Sequence, residues 1–286
     1  MNFRALLTLL RPALVPTAVA DVLTAAVFFG GAPLLRLLGA CGASASFYMG
    51  GMVLNDLADR ERDAYLNPHR PLVQHPGLAP QAWGMVLVLF MAGLLLGVAA
   101  NVAMQAAIVA ALAIFYDLFA KKHFPADAMA MGACRAANFG MGISLAGVGW
   151  GNTEAITLLL GYGAYIGGLT GASRTEDFEQ DSGRRKGVFL AALPMLVGIG
   201  AYSSVEPSAV FFLPGLVVVV LTLHALRAGT PVAAKQFVLY ALLNIYVLHG
   251  ALLLARGHFL TALLVIGLMA GSVYLMRMMK PKQAES

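Results

Sequence analysis

The sequence predicts an all-α, polytopic transmembrane helical bundle with about nine or ten spans, on three observations. Of the 286 residues, 59% are hydrophobic and 12% are charged, and the mean hydropathy is +0.78, whereas a soluble domain is about half apolar and a quarter charged. The apolar runs are unbroken and helix-length, unlike the alternating strands of a membrane barrel. The basic residues fall mostly between these runs, which is typical of a membrane topology.

Ten apolar runs approach the roughly 20 residues that a helix needs to cross a bilayer. No long linker or low-complexity segment separates them, so a single domain over residues 1–286 is expected. The last four runs are also compatible with nine spans and one interfacial piece. The ten runs lie near residues 12–30, 34–55, 83–100, 102–120, 128–148, 155–173, 187–204, 209–226, 236–254 and 259–278.

The charged loops are predicted to lie on one face of the membrane. With a cytoplasmic N-terminus, the loops after even-numbered spans are cytoplasmic, and the positive-inside rule expects basic residues there. The opposite loops are short, with only Arg36 and Arg256 nearby. This topology accounts for the net charge of +5, so no nucleic-acid partner is expected. The cytoplasmic set is Arg60, Arg62, Arg70, Lys121, Lys122, Arg174, Arg184, Arg185, Lys186, Arg227 and Lys235.

The stretch NDLADRERD, which follows the second run, concentrates acidic residues at a helix end. On a continued helix its polar side chains fall within an arc of about 100°. Crowded carboxylates repel one another unless a cation lies among them, and hard oxygen ligands suit Mg²⁺. The alternative is a solvated loop whose aspartates pair with Arg60 and Arg62. The candidate metal ligands are Asn55, Asp56, Asp59 and Asp63.

A second acidic cluster follows the sixth run. Asp177 and Asp181 are one helical turn apart, and Arg174 and Arg184 are expected on the same arc. Two aspartate-rich helix ends on one membrane face predict two metal positions that share an anionic ligand, most simply a diphosphate. The alternative is a pair of charged caps on unrelated helices.

The fourth run ends in YDLFAKKH, which places Tyr116, Lys121 and Lys122 on the same face. A phenol and an ammonium there could hydrogen-bond phosphate oxygens and neutralise a leaving group. The alternative is an interfacial tyrosine with snorkelling lysines, which many span ends carry.

These motifs resemble those of the UbiA superfamily of intramembrane prenyltransferases. NDLADRERD is similar to the signature N-D-x-x-D-x-x-x-D, and NPHRPL resembles the Arg-Pro-Leu segment that follows it. YDLFAKK resembles the family's Tyr-to-Lys element, and EDFEQDSGRRKG its second D-x-x-x-D element. The order matches over residues 10–280. RPALVPTAVADVL and SRTEDFEQD further resemble the EboC-like branch, which is found in bacterial gene clusters.

The resemblance implies nine transmembrane helices around a central cavity open to lipid, in an integral membrane protein of the bacterial inner membrane. It implies Mg²⁺-dependent transfer of an isoprenyl group from a prenyl diphosphate to an aromatic or other lipid-soluble acceptor, with both acidic motifs cytoplasmic. By position, Mg²⁺ and diphosphate would be held by Asn55, Asp56, Asp59, Asp63, Asp177 and Asp181. The diphosphate would be contacted by Tyr116, Lys121 or Lys122, and Arg62 or Arg70.

One departure from the family pattern concerns Arg174, since many members carry an acidic residue there. An arginine would bind phosphate directly or weaken the second metal position. Asp21 and Arg135 lie inside spans, where an ionisable group costs on the order of 3 kcal/mol unless paired. They either pair with each other, or Arg135 reaches the diphosphate while Asp21 orients the acceptor. His249 is given no role.

Two other functions remain open at this point. A transporter would need polar groups near the bilayer midplane, which Asp21 and Arg135 could supply. A family member that binds an isoprenoid lipid without turning it over is the second alternative, and Arg174 is the residue that favours it.

Overall fold

The ten apolar runs all form helices. The computed structural model describes residues 3–149, 151–175 and 180–279, and these ranges contain helices and turns but no strand. The fold class predicted from composition is therefore confirmed. The helices are α1 Phe3–Leu10, α2 Val15–Phe28, α3 Leu34–Ala58, α4 Arg60–Leu66, α5 Pro71–Gln74, α6 Ala79–Ala99, α7 Ala103–Leu118, α8 Ala126–Leu145, α9 Thr153–Arg174, α10 Asp181–Val205, α11 Phe212–Ala228, α12 Pro231–Ala255 and α13 Phe259–Met279.

Within the described ranges, nine helical segments are long and apolar enough to cross a membrane, with α1 and α2 counted together. Helix α8 is as long as several of them, but it carries Asp127, Arg135 and Asn138. It packs against α2, α7 and α9, so protein surrounds its polar side chains, which lipid could not solvate. The chain is an integral membrane protein, and its described ranges contain nine apolar helices of spanning length and the more polar helix α8.

Local sequence fixes several helix ends. The side chain of Asn152 accepts a hydrogen bond from the Ala155 amide at 2.9 Å and caps α9, and Thr230 caps α12 in the same way. These side chains satisfy amides that have no partner inside the helix. Gly229 ends α11 with a φ of 64°, a left-handed conformation that glycine adopts without steric cost.

Small residues let the longest helices approach closely. Gly198 of α10 lies so near α9 that a Cβ atom would overlap the carbonyl oxygen of Gly161. Two residues further along α10, a Cβ at Gly200 would meet no atom within 4 Å. Close backbone approach through small residues is a general means of helix association in membranes.

Gly198→Ala is therefore expected to destabilise the protein by about 1–3 kcal/mol, because the added methyl forces two packed backbones apart. Gly200→Ala is the matched control and should be neutral or stabilising, since alanine favours helix over glycine by about 1 kcal/mol. Thermal unfolding in detergent compares the two variants. Equal unfolding temperatures for the two variants would show that α9 and α10 can move apart to accept the added methyl group without loss of stability.

The loops that join the helices gather at the two ends of the bundle. At one end Lys121 contacts Asp59, Arg174 contacts the Lys121 carbonyl, and Arg184 contacts the Gly229 carbonyl. The loops after α3, α7, α9 and α11 are therefore neighbours, as their charge predicted, and we call this the charged end. Its cytoplasmic orientation stays a prediction.

At the opposite end, Arg256 bonds to Glu206 and Glu154 and stacks over Phe28. Hydrogen bonding to Glu206 raises the pKa of the Arg256 guanidinium. These three residues join the end of α10, the end of α12 and the start of α9 at the end of the bundle opposite the charged end, and Arg256 and Glu206 serve below as control sites.

Candidate functional site

A cavity of about 1380 Å³ runs from the charged end into the bundle. Its polar part is lined by the ends of α3, α7 and α9 and by the starts of α8 and α10. Its deeper part is lined mostly by glycine and alanine of α8 and α9. Because these residues are small, they leave the volume of the cavity open. The polar lining residues include Asn55, Asp59, Arg62, Tyr116, Lys121, Asp127, Arg174 and Lys186; the small ones include Gly132, Ala133, Ala136, Gly140, Gly163, Ala164 and Gly167.

Asp59 and Lys121 form the centre of the polar part. The Lys121 Nζ lies 2.9 Å from Asp59 Oδ2 and 3.4 Å from the Asn55 carbonyl oxygen. The Asn55 amide donates to Asp117 Oδ1 at 3.1 Å, and that carboxylate is also 3.9 Å from Lys121 Nζ. Two helix ends are thus locked together by one buried ammonium between two carboxylates.

The structure distinguishes Lys121 from Lys122, which fit the spacing of the motif equally well. Lys121 is buried and lines the cavity, whereas Lys122 is exposed and is not among the described lining residues. Tyr116 is half-buried and also lines the cavity. The phenol and the ammonium predicted to contact phosphate oxygens therefore both line the cavity when the lysine is Lys121.

Asp56 and Asp63, predicted as metal ligands, each lie beside an arginine in the structure. Asp56 Oδ1 accepts from Arg11 at 2.6 Å and from Arg70 at 2.8 Å. Asp63 lies 3.7 Å from Arg70 Nε. Neither carboxylate, nor Arg70, lines the cavity in the part of the chain that the structure describes.

Helix geometry explains why the four ligand candidates separate. The backbone stays nearly helical through Asp59, so residues 55 and 59 point within about 40° of each other, and residues 56 and 63 within about 20°. The predicted arc of about 100° is thus split. Its Asn55 and Asp59 half faces the cavity, and its Asp56 and Asp63 half faces Arg11 and Arg70.

The two arginines predicted beside the second acidic cluster lie on different helices. Arg174 ends α9 and Asp181 begins α10, so the expectation that Arg174 and Arg184 share one helical arc is wrong. Asp181 is 65% exposed and bonds to Arg184 at 2.6 Å, and Arg184 also bonds to the Gly229 carbonyl. Asp177 lies outside the described residues.

Arg174 bonds to a carboxylate that sequence reasoning missed. Its Nε donates to Asp127 Oδ2, and its Nη2 donates to the Lys121 carbonyl at 2.6 Å. Asp127 is buried in the first turn of α8. The only sequence signals for Asp117 and Asp127 were their positions beside the Tyr-to-Lys element, and Arg11 gave no signal beyond its place in RPALV.

Asp21 and Arg135 pair with each other in the bundle interior. Asp21 is fully buried and lies 3.1 Å from Arg135, 2.5 Å from the Tyr162 hydroxyl and 3.0 Å from His249 Nε2. Asn138 donates to its second oxygen at 2.9 Å. Among described residues, this network lies apart from the cavity lining, so the structure does not bring Arg135 to the predicted diphosphate position. His249, given no role from sequence, belongs to the network.

The cavity offers oxygen donors that fit Mg²⁺. Over the described ranges, no three His, Cys, Asp or Glu side chains converge into a ready-made cage. Mg²⁺ does not need one, because it is usually bound by one or two carboxylates together with waters and substrate phosphates. Asp59 and Asn55 line the cavity together, and the buried Oδ1 of Asp127 has no hydrogen-bond partner in the described structure. These hard oxygen donors suit the ion.

Comparison with solved structures gives the same fold at low identity. An apo structure of a UbiA homologue from Aeropyrum pernix K1 has a TM-score of 0.66 and 15% identity, over 92% of this chain and 98% of that one. A structure concerning digeranylgeranylglyceryl phosphate synthase has a TM-score of 0.60 and 16% identity, over 94% and 99%. A UbiA homologue from Archaeoglobus fulgidus bound to GPP and Mg²⁺ has a TM-score of 0.57 and 14% identity, over 85% and 99%.

A search of curated proteins gives no match. The family model described as "UbiA prenyltransferase family" matches residues 13–286, which covers the charged end, the cavity and every long helix. The chain belongs to the UbiA prenyltransferase family.

Proposed function

We propose that this protein transfers an isoprenyl group, with Mg²⁺, from a prenyl diphosphate to a lipid-soluble acceptor inside the membrane. The observation that carries the proposal is a single cavity with charged residues at its mouth and small apolar residues along its depth. A prenyl diphosphate has the same division into an anionic head and an apolar tail. Membership of the family and the fold shared with a homologue bound to GPP and Mg²⁺ support the assignment.

The residues of the polar part suit the departure of a diphosphate. Lys121 and Arg174 line it as fixed cations, and Tyr116 adds a hydroxyl donor. Hydrogen bonds to ionised phosphate oxygens are shorter and stronger than those between neutral groups. Preorganised donors of this kind lower the barrier when negative charge accumulates on a leaving group.

In the proposed reaction the allylic C–O bond breaks and its electron pair leaves with the diphosphate. The acceptor then forms a bond to the freed prenyl carbon, and its proton is released to water at the polar end. The glycine and alanine walls hold the tail and exclude water that would compete with the acceptor. Bound through Asp59 and Asn55, Mg²⁺ would supply further neutralisation of the diphosphate charge.

Transport is less well supported. The intramembrane charges that favoured it, Asp21 and Arg135, satisfy each other, and in the described structure neither lines the cavity. We further propose that the charged end faces the cytoplasm of a bacterial inner membrane, since it carries the excess of basic loops.

Purified protein in lipid nanodiscs with a radiolabelled prenyl diphosphate, Mg²⁺ and a lipid extract tests the proposed reaction. We expect a labelled, lipid-soluble product and stoichiometric release of diphosphate, both dependent on Mg²⁺. Prenyl diphosphates of several chain lengths are compared, because the tail length is not assigned. Absence of product and of released diphosphate at every length would contradict the enzymatic function. Tight binding without either would favour the non-catalytic lipid-binding alternative.

Lys121 and Lys122 form a matched pair of adjacent cations. Lys121→Met is expected to lower the rate of diphosphate release by about 100-fold, because it removes a buried donor at the cavity mouth. Lys122→Met should stay within about twofold of wild type, because exposed charges contribute little. Initial rates at saturating substrate measure both. Wild-type rates in both variants would mean that the snorkelling interpretation holds for both lysines, and equal losses would mean that burial does not distinguish their roles.

A further inference from the structure

Cations outnumber carboxylates among the described residues that line the polar part of the cavity. Among the described lining residues there are four cations and two carboxylates, Asp59 and Asp127. The four cations are Arg62, Lys121, Arg174 and Lys186.

Both carboxylates at the cavity are already paired with a cation. Asp59 lies 2.9 Å from Lys121, and Asp127 accepts from Arg174. A carboxylate paired in this way holds its cation in place but contributes little net repulsion to a bound anion. Asp59 and Asp127 thus act as counterions for a cationic site as well as oxygen donors.

Arg174 is held in place by two described partners on other elements. It is held from one side by Asp127 and from the other by the Lys121 carbonyl at 2.6 Å, and its side chain remains 36% exposed. A guanidinium has five N–H donors, and these two bonds use two of them. The remaining donors match the spacing of phosphate oxygens, which arginine can bind in bidentate fashion.

We propose that Arg174, oriented by Asp127, binds the diphosphate directly, so that this protein binds a diphosphate group in the absence of Mg²⁺. The inference rests on the proposed function for the identity of the anion. It assigns Arg174 a binding role and Asp127 a positioning role, and it makes affinity for the diphosphate group largely independent of metal.

Isothermal titration of the full-length protein in detergent with inorganic pyrophosphate tests this directly, because binding is measured without turnover. We expect wild type to bind pyrophosphate in EDTA within about tenfold of its affinity in Mg²⁺. Arg174→Gln should lose at least about tenfold in EDTA, which corresponds to about 1.4 kcal/mol. Arg174→Lys, which keeps the charge but loses the planar fork, should fall between them.

Arg256→Gln is the matched control, since Arg256 also bonds to carboxylates but lies at the opposite end of the bundle. It should bind pyrophosphate as wild type does. Asp127→Asn should weaken binding in wild type but not further in the Arg174→Gln background, because a positioning residue acts only through its partner. Thermal unfolding without ligand checks that each variant is folded.

Binding that requires Mg²⁺, or equal affinities for Arg174→Gln and Arg256→Gln, would overturn the inference while leaving the proposed transferase function intact. Conversely, metal-independent binding that depends on Arg174, with no transfer of any prenyl group, would support the inference and contradict the transferase function.

Discussion

Asp59→Asn is expected to lower the rate of prenyl transfer by about 100-fold or more. Asp59 is the acidic residue of the first motif that lines the cavity, and it lies 2.9 Å from the ammonium of Lys121. The amide keeps the shape of the side chain but removes the charge that orients Lys121 and that suits Mg²⁺. Losing one preorganised electrostatic group typically costs 10²–10³-fold in rate.

Glu61→Gln is the matched control for this variant. Glu61 lies two residues further along the same acidic stretch, but it is exposed on α4 and is not a described lining residue. Its rate should stay within about twofold of wild type, since exposed charges contribute little.

A Mg²⁺ titration of the residual rate separates the two roles of Asp59. A higher half-saturating Mg²⁺ concentration in Asp59→Asn supports a role in metal binding, and an unchanged one assigns the loss to Lys121. The proposed centre would be contradicted by a wild-type rate in Asp59→Asn, or by equal losses in Asp59→Asn and Glu61→Gln.

The positions of the membrane-spanning helices could be predicted because a segment that crosses a bilayer must be apolar along its own length. A run such as 34–55 must be apolar over its whole length, and it forms the helix Leu34–Ala58. Helix α8 shows the limit of that rule. Its polar residues lower its apolar character, yet it forms because α2, α7 and α9 surround it, and a composition rule does not contain those neighbours.

The site was predictable at the level of motifs but not of partners. Sequence placed Asn55, Asp56, Asp59 and Asp63 on one arc, and helix periodicity alone could not say where within it the cavity would begin. Asp56 faces away from the cavity because it pairs with Arg11, which lies between α1 and α2 and is 45 residues distant in sequence. The pairing of Asp127 with Arg174 is likewise a contact between helices.

Asp21→Asn is expected to lower the free energy of unfolding by about 3–5 kcal/mol, the typical cost of removing one partner of a buried ion pair. Asp21 is fully buried, and Arg135, Tyr162, Asn138 and His249 all bond to it. These residues come from α2, α8, α9 and α12, so one carboxylate links four helices. The substitution leaves the Arg135 guanidinium without its counterion in a medium that solvates charge poorly.

A double variant distinguishes loss of the counterion from loss of packing. Asp21→Asn with Arg135→Gln carries no unpaired charge, so we expect it to be more stable than Asp21→Asn alone, although one partner more has been changed. Glu206→Gln is the control, because it also removes a carboxylate from an arginine, but in an exposed pair worth about 0–1 kcal/mol. Unfolding in detergent by near-ultraviolet circular dichroism measures all four proteins. If Asp21→Asn were no more destabilised than Glu206→Gln, or if the double variant were the least stable, the buried charge pair would not be what holds these helices together.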